Sequence, residues 1–139
     1  MRLLVVEDNP TDVILLQEAL RAAGHRHEPL IARDGEEAMT QLRGDGDRPD
    51  LVLLDLNLPR KNGREVLAEV KADPDLRTIP VIVLTSSAAA PDIDFAYRHH
   101  ANAYVRKPLG LDRLTEFALS LRDFWHNQAT LPFTAGQAG

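Results

Sequence analysis

Short runs of apolar residues recur along the chain at near-regular intervals, with longer amphipathic stretches between them. Three of the runs are continuous Val, Ile and Leu blocks without polar alternation, which is typical of strands buried on both faces of a parallel sheet. The other two runs are less apolar. The pattern predicts five strands, Leu3–Val6, Pro29–Ala32, Leu51–Leu54, Val81–Leu84 and Ala103–Val105.

The stretches between the runs have the spacing of helices. In the first stretch, Val13, Leu16 and Leu20 recur every three or four residues. Asn9 stands before this stretch as a helix start signal, and Gly24 follows it as a stop signal. Similar patterns predict four further helices, Glu36–Arg43, Arg64–Ala72, Ala89–His99 and Leu111–Asn127.

Five strands alternating with five helices indicate an α/β fold built from βαβ units. Because such crossovers are nearly always right-handed, helices should cover both faces of one parallel sheet. We therefore expect a doubly wound five-stranded parallel sheet of the flavodoxin-like (βα)5 type. The expected strand order, 2-1-3-4-5, is that of the known members of this fold, because hydrophobic periodicity alone does not determine an order.

The length of the chain limits the number of domains. With 139 residues, of which 44% are hydrophobic, it can bury one core but is too short for two ordinary domains. Residues 128–139 are mostly small and show no periodicity. We expect one domain over residues 1–127 and a flexible C-terminal tail over residues 128–139.

Composition excludes several classes of partner. The net charge is −5 and no segment carries a cluster of Lys and Arg, which argues against nucleic acid as a partner. The absence of cysteine is compatible with a reducing cytoplasm. The apolar run at the N-terminus is only four residues long, too short for a signal peptide or a membrane span. These features predict a cytoplasmic protein with no membrane partner.

Unusual polar residues follow the predicted strands at their carboxyl ends. Glu7 and Asp8 follow the first strand, Asp55 the third, Thr85 the fourth and Lys107 the fifth. Taken singly, each is most simply a helix cap or a polar loop residue. In open parallel sheets, however, ligands bind beyond the carboxyl ends where the strand order reverses, here beyond strands 1 and 3. The four positions together predict one functional site.

This predicted site brings together three carboxylates, from Glu7, Asp8 and Asp55. Two like charges about 4 Å apart repel by about 4 kcal/mol at an effective dielectric constant of about 20. A hard divalent cation offsets the repulsion, and a few carboxylates with room for water and phosphate suit Mg²⁺, with Lys107 as a second counter-charge. Beside these charges an aspartate can attack phosphorus and form an acyl phosphate, to which the Thr85 hydroxyl would donate a hydrogen bond.

Four short motifs resemble, in their order and spacing, those of the response-regulator receiver family, over roughly residues 2–125. They are Glu7-Asp8, Leu51–Leu54 leading to Asp55, Leu84-Thr85-Ser86, and Tyr104-Val105-Arg106-Lys107-Pro108. The resemblance implies that Asp55 is the phosphoacceptor. It also implies that Asp8 and Asp55 bind Mg²⁺ through their side chains, that Asn57 offers its backbone carbonyl, and that Glu7 holds a metal-bound water.

The resemblance further implies a conformational switch. Thr85 is expected to move toward phosphorylated Asp55, and the Tyr104 ring to swing inward behind it. Tyr104 is explained equally well as a half-buried aromatic at a strand edge. In the family the peptide bond between Lys107 and Pro108 is cis, and the same is expected here.

The phosphoryl donor should be a partner protein. None of the five histidines of the chain shows ligand spacing, and all five are predicted to lie at the surface. A sensor histidine kinase would therefore supply the phosphorylated histidine. The segments around Tyr97, Tyr104 and Trp125 are similar to stand-alone receivers that serve phytochrome-type sensor kinases, including bacteriophytochromes. Only 31 residues follow Pro108, which also predicts a stand-alone receiver, a phosphoacceptor that assists its own chemistry and is not an enzyme.

The last predicted helix carries more apolar bulk than one core-facing stripe needs, namely Leu114, Phe117, Leu121, Phe124 and Trp125. This crowding predicts a symmetric homodimer formed through helix 4, strand 5 and helix 5. The alternative is that Phe117 and Leu121 belong to the core and that Phe124 and Trp125 cover the edge of the sheet.

Three other functions compete with the receiver. A phosphatase of the haloacid-dehalogenase type needs a second acidic residue two positions after its nucleophile, where this chain has Asn57. A flavin-binding protein needs a phosphate-cradling loop after strand 1, where Glu7 and Asp8 would repel the phosphate. The third is a constitutive docking module, which is disfavoured because no acceptor, metal or lysine position is missing.

Overall fold

The structure is a computed structural model that describes residues 1–132. Strands and helices alternate along the chain as predicted. The strands are β1 (Leu3–Val6), β2 (Leu30–Ala32), β3 (Leu51–Leu54), β4 (Val81–Thr85) and β5 (Ala103–Arg106). The helices are α1 (Pro10–Ala22), α2 (Gly35–Arg43), α3 (Gly63–Ala72), α4 (Ala90–Arg98) and α5 (Leu111–Arg122), and a π-helical turn (Asp123–Gln128) continues α5.

All five strands pair in parallel in the order β2-β1-β3-β4-β5, which confirms the predicted topology. The three central strands, β1, β3 and β4, are buried at every residue, and this explains their unbroken apolar runs. The edge strands β2 and β5 are partly exposed.

Two hydrophobic clusters fill the space on the two faces of the sheet. One lies under α2, α3 and α4, and the other lies under α1 and α5. Within β1, Leu4 and Val6 belong to the first cluster while Leu3 and Val5 belong to the second. Alternate residues of a strand point to opposite faces, so each central strand contributes to both cores.

Side-chain caps begin three of the helices. Asn9, Asp34 and Asn62 accept hydrogen bonds from backbone N–H groups in the first turns of α1, α2 and α3. Neither α4 nor α5 has a side-chain cap at its first turn. Within residues 1–132, no helix is both long enough and apolar enough to cross a membrane.

The observed elements differ from the predicted ones mainly at their ends. β4 and β5 each extend one residue farther than predicted, whereas α4 is one residue shorter at both ends. The helix predicted over Leu111–Asn127 is α-helical only to Arg122, and the π-helical turn follows. These ends depend on local hydrogen bonding, which hydrophobic periodicity does not report. Of the predicted tail, residues 133–139 lie outside the described residues.

Most of the apolar residues whose crowding predicts a dimer face are covered in the structure. Leu114 and Leu121 are buried, and Phe117 and Trp125 are partly buried against the cluster under α1 and α5. Phe124 is the exception, with 54% of its surface exposed. The reason is that α1 packs along α5 and covers the apolar stripe, as in the alternative interpretation.

The prediction that all five histidines lie at the surface is too broad, because His99 is partly buried against the Phe95 ring and so, against α5, is His25. Its ring is half-buried, and Nε2 lies 3.2 Å from the carbonyl oxygen of Ala118 in α5. Burial lowers the pKa of His25, although the Ala118 contact opposes the shift. The loop after α1 folds back onto α5, a contact between positions far apart in the sequence.

Candidate functional site

Three carboxylates meet at the carboxyl edge of the sheet because β1 and β3 end side by side. Val6 pairs with Leu54, and the Asp55 N–H donates to the Val6 carbonyl at 3.0 Å. One carboxylate oxygen from each of Glu7, Asp8 and Asp55 lies within 4.8 Å of the others. Glu7 and Asp55 are buried whereas Asp8 is exposed, so the cluster opens to solvent on the Asp8 side.

Lys107 provides the positive charge that this cluster needs. Its Nζ lies 2.6 Å from Glu7 Oε2, 3.1 Å from Asp12 Oδ2 and 3.3 Å from Asp55 Oδ2. The Lys107 N–H donates to the Thr85 carbonyl at 2.7 Å, which holds the backbone of the lysine against the end of β4. The structure therefore brings three carboxylates, which follow β1, begin α1 and follow β3, to one ammonium group.

Asp12 is a member of the site that was not predicted from the sequence. Its carboxylate accepts from Lys107 although the two positions are 95 residues apart. The signal in the sequence was its spacing: Asp12 stands four residues after Asp8, in the first turn of α1, where an acidic side chain is also a common helix feature. Because a first-turn acidic residue is explained by the helix alone, the sequence did not predict the contact of Asp12 with Lys107.

Burial and mutual repulsion shift the charge balance of the site. Burial raises the pKa of Glu7 to about 7, and the nearby Asp55 adds to the rise, although the contact with Lys107 opposes it. For Lys107, burial opposes the charged form, but the Glu7 contact and the Asp55 charge outweigh burial and raise its pKa above the usual range. The contacts of Lys107 therefore favour its charged form, whereas burial favours the protonated form of Glu7 more than in an exposed glutamate.

Two neutral donors hold Asp55 Oδ1. The Thr85 hydroxyl donates to this oxygen at 2.8 Å, and the Asn57 N–H donates to it at 3.1 Å. Lys107 contacts the other oxygen, Oδ2. The backbone of Asn57 thus lies at the site as predicted, while the role of its carbonyl as a metal ligand stays a prediction.

Tyr104 extends from β5 toward the loop between β4 and α4. Its hydroxyl donates to the Ser87 carbonyl at 2.7 Å, and its half-buried ring packs against the cluster under α2, α3 and α4. Burial raises the pKa of Tyr104. The backbone N–H of Tyr104 donates to the Tyr97 hydroxyl at 3.1 Å. These contacts place the ring inward, next to the loop that follows Thr85.

The expected cis bond before Pro108 is not found. Every peptide bond of residues 1–132, including the one between Lys107 and Pro108, is trans. The trans form is the more stable one even before proline, by about 0.5 to 1 kcal/mol. With this trans bond, Lys107 still reaches all three of its carboxylate partners.

A cavity of about 290 Å³ adjoins the carboxylates between α1 and α5. Its polar end is formed by Glu7, Asp55 and Lys107, and its walls are mainly leucines. Leu109, at the rim, has 84% of its surface exposed.

The fold and this site together define the class of protein. A family model for the response regulator receiver domain matches residues 3–118, a range that includes every residue of the site described above. The chain belongs to this family. Membership favours the receiver over the phosphatase, the flavin-binding protein and the docking module considered from the sequence.

Similar proteins include response regulators of phytochrome systems. The chain is 45% identical over 135 residues to the response regulator Rcp1 of Synechocystis sp., covering 94% of this chain and 92% of that protein. A solved structure of the phosphorylated cyanobacterial phytochrome response regulator RcpA superposes with a TM-score of 0.88 at 47% identity, covering 95% and 98% of the two chains. The Mn²⁺-bound form of Rcp1 superposes with a TM-score of 0.85 at 44% identity, covering 95% and 99%.

Proposed function

We propose that this chain is the phosphoacceptor of a two-component phosphorelay and receives a phosphoryl group from a sensor histidine kinase on Asp55. The observation that carries the proposal is the position of Asp55, whose two oxygens contact Thr85 and Lys107 while Glu7 and Asp8 lie beside it. A buried carboxylate can act as a nucleophile toward phosphorus when, as here, an ammonium group and a hydroxyl are positioned to stabilise the transferred phosphoryl group.

The transfer needs no covalent chemistry from residues other than Asp55. One Asp55 oxygen attacks the phosphorus of a phosphohistidine; the new P–O bond forms as the P–N bond breaks, and the leaving imidazole takes up a proton from solvent. Lys107 and the Thr85 hydroxyl stabilise the negative charge on the transferred oxygens. Attack by water on the same phosphorus later returns Asp55 and releases inorganic phosphate, so the chain acts as a timed acceptor and not as an enzyme.

We propose Mg²⁺ as the cation that this site binds. The side chains of Asp8 and Asp55 would be direct ligands, Asn57 would add its backbone carbonyl, and Glu7 would hold a coordinated water. The fit rests on chemistry: hard oxygen donors on an exposed side of the cluster, and more carboxylates than Lys107 alone can neutralise. The Mn²⁺ in the Rcp1 structure supports a divalent ion of this kind. Bound there, the ion would supply positive charge to the phosphoryl oxygens.

The switch would work through Thr85 and Tyr104. A phosphoryl group on Asp55 gives the Thr85 hydroxyl a more highly charged acceptor than the carboxylate alone. A tighter Thr85 contact favours the inward Tyr104, because Thr85 and Ser87, the acceptor of the tyrosine hydroxyl, belong to the same segment. The face formed by α4, β5 and α5 would then change with the state of Asp55.

The kinase partner is proposed to be of the phytochrome type. It would supply the phosphohistidine from which Asp55 takes the phosphoryl group. Support comes from RcpA, which is a phytochrome response regulator 47% identical to this chain. Exposed Leu109 beside Asp55 offers an apolar contact for the histidine-bearing helix. We also propose that the protein acts in the cytoplasm.

A homodimer through α4, β5 and α5 is proposed as the output of the switch. Exposed Tyr97 in α4, Leu119 in α5 and Phe124 in the π-helical turn supply its apolar contacts. A two-fold arrangement lets the same face of both copies serve as its own partner. Phosphorylation would change the stability of the dimer only if chains with inward Tyr104 and chains with outward Tyr104 differ in their affinity for a second copy.

The replacement Asp55→Asn tests the phosphoacceptor directly. The amide keeps the size of the side chain but is no nucleophile, so incubation with acetyl phosphate and Mg²⁺ should add a phosphoryl mass to the native chain and none to the variant. Asp94→Asn, at an exposed carboxylate of α4, is the matched control and should label like the native protein. Equal labelling of Asp55→Asn and the native chain would refute the assignment.

A further inference from the structure

A series of polar contacts outside the carboxylate cluster connects α3 with β5. Arg64 in α3 donates from Nε at 3.2 Å and from Nη2 at 2.5 Å to Asp92 Oδ1 in the first turn of α4. Ser87, in the loop between β4 and α4, donates from Oγ to Asp92 Oδ2 at 2.6 Å. The Ser87 carbonyl accepts from the Tyr104 hydroxyl at 2.7 Å. We call Arg64, Asp92 and Ser87 the loop clamp.

Both ends of the loop clamp are tied to the phosphoacceptor. Gly63, next to Arg64, packs so closely on the strand end that an added Cβ would lie 2.1 Å from the Asp55 carbonyl oxygen. At the other end, Thr85 stands two residues before Ser87 and contacts the Asp55 side chain. The loop clamp thus connects the start of α3, which follows Asp55, with the loop between β4 and α4, which follows Thr85.

The loop between β4 and α4 has little else to hold it. The first residue before α4, Ala89, provides no side-chain cap, and Ala96 is the one buried residue of the helix. Ser86 and Ala88–Ala90 are exposed. Segments with few buried apolar contacts open at low free-energy cost, so polar contacts decide the conformation of this loop.

The Arg64–Asp92 pair is better shielded from water than an ordinary surface pair. Its side chains are 33% and 18% exposed, whereas those of Arg98 and Asp94 on the same helix are 76% and 62% exposed. The Ser87 and Arg64 contacts lower the pKa of Asp92. Exposed pairs add little to stability, and partial burial with a third donor makes this pair the stronger of the two.

We propose that Arg64 is a positioning residue of the switch: through Asp92 it fixes Ser87 so that the Ser87 carbonyl accepts the Tyr104 hydroxyl. Loss of the clamp frees the loop and increases the population of outward Tyr104. The inference rests on the proposed function where it concerns phosphorylation. Because coupling between two sites is reciprocal, a non-covalent mimic of the acyl phosphate that favours inward Tyr104 binds more weakly once the clamp is lost.

Fluorine NMR tests the clamp in the free protein. The chain has two tyrosines, so fluorotyrosine labelling gives two resonances, and Tyr97→Phe assigns them. In Arg64→Gln the Tyr104 resonance should move toward that of a solvent-exposed tyrosine, whereas in the control Arg98→Gln it should stay at the native position. An unchanged Tyr104 resonance in Arg64→Gln would overturn the proposal.

Two further variants separate positioning from a general loss of structure. Ser87→Ala removes the hydroxyl that donates to Asp92 and accepts from the Ala89 N–H at 3.3 Å. It keeps the carbonyl that accepts from Tyr104, and it should shift the resonance in the same direction as Arg64→Gln. Arg64→Lys keeps the positive charge but not the planar guanidinium, whose Nε and Nη2 both donate to Asp92. Its Tyr104 resonance should therefore lie between those of Arg64→Gln and the native chain. If Ser87→Ala leaves the resonance at its native position, Asp92 does not act through Ser87 and the proposal fails.

Titration with beryllofluoride and Mg²⁺, a stable mimic of the acyl phosphate, tests the coupling. Arg64→Gln should bind the mimic roughly fivefold more weakly than the native chain, at the lower end of typical allosteric couplings, and Arg98→Gln should match the native chain. Equal affinities of Arg64→Gln and the native chain would overturn the coupling. If the native chain itself shows no response, the proposed function fails, while the fluorine spectra still decide the clamp.

Discussion

The Thr85 hydroxyl donates a hydrogen bond of 2.8 Å to Asp55 Oδ1, and both side chains are buried. This contact joins the end of β4 to the end of β3 across the sheet. The same hydroxyl can donate to an oxygen of a phosphoryl group on Asp55, since that group is larger and more negative than the carboxylate.

Replacing Thr85 by Ala should therefore slow phosphorylation of Asp55. Loss of one hydrogen bond to a charged group costs about 1.5 kcal/mol, which corresponds to a roughly tenfold lower rate of labelling by acetyl phosphate. Thr85→Ser keeps the hydroxyl and is the matched control, with a rate close to native. Native-like labelling of Thr85→Ala would remove the hydroxyl from the transfer step.

Replacing Asp8 by Asn should weaken metal binding. The exposed Asp8 carboxylate is the third member of the cluster with Glu7 and Asp55, and an amide offers no charge to the ion. Loss of even an outer partner of a metal ligand costs roughly tenfold in affinity, so a drop of at least that size is expected in a Mg²⁺ titration followed by Trp125 fluorescence. Asp94→Asn should bind like the native chain; a native affinity for Asp8→Asn would exclude Asp8 as a ligand.

Metal affinity should rise with pH across neutrality. The pKa of Glu7 is raised by burial to about 7, so below this pH its carboxyl holds a proton that opposes a cation, and above it the carboxylate attracts one. Calorimetry between about pH 6 and about pH 8 should show tighter binding at the higher pH, with a flatter dependence in Glu7→Gln. The same steep dependence in Glu7→Gln would assign it to another group.

The same shift affects stability with the opposite sign. Because the folded pKa of Glu7, about 7, lies above the ordinary value of 4.5, the folded chain holds a proton that the unfolded chain has lost between these values. The contribution of Glu7 to the free energy of unfolding therefore falls as the pH rises from 4.5 to about 7 in the absence of metal. Urea denaturation of native and Glu7→Gln chains across this window measures the difference.

Replacing Gly63 by Ala should destabilise the fold. The added Cβ would lie 2.1 Å from the Asp55 carbonyl oxygen and 2.6 Å from Leu56 Cα, both backbone atoms that cannot turn away. Overpacking of this kind costs about 3 kcal/mol, which exceeds the gain of about 1 kcal/mol from the better helix propensity of Ala. Gly46→Ala, where nothing lies within 4 Å, should be nearly neutral in urea denaturation. Equal stability of both variants would contradict the close packing.

The proposed dimer can be tested at Phe124. Sedimentation at micromolar concentration should show a dimer of the native chain, and Phe124→Ala should weaken it because the side chain is 54% exposed on the proposed face. Ile14→Ala removes an equally exposed apolar side chain from α1, outside that face, and should leave association unchanged. A native chain that is monomeric at every accessible concentration would refute the dimer.

Much of the fold followed from the sequence because strand and helix periods are local properties. The unbroken apolar runs of β1, β3 and β4 required burial on both faces, and the structure buries them so. Glu7, Asp8 and Asp55 could be placed together from the sequence because parallel strands end at the same edge of the sheet. The site was predictable as far as it depends on strand ends.

Contacts made by helix surfaces were decided only by the tertiary structure. Asp12 reaches Lys107 across 95 positions, and Arg64 reaches Asp92 across 28. The spacing of Asp12 after Asp8 does not indicate its partner, and Arg64 has no local signal for its partner. The apolar residues of α5 and the turn after it predicted a dimer face, but Phe117 and Trp125 are partly buried, and Leu121 almost completely, against the cluster under α1 and α5. Periodicity determines which side of a helix is apolar, whereas the packing of the whole chain determines which neighbour covers that side.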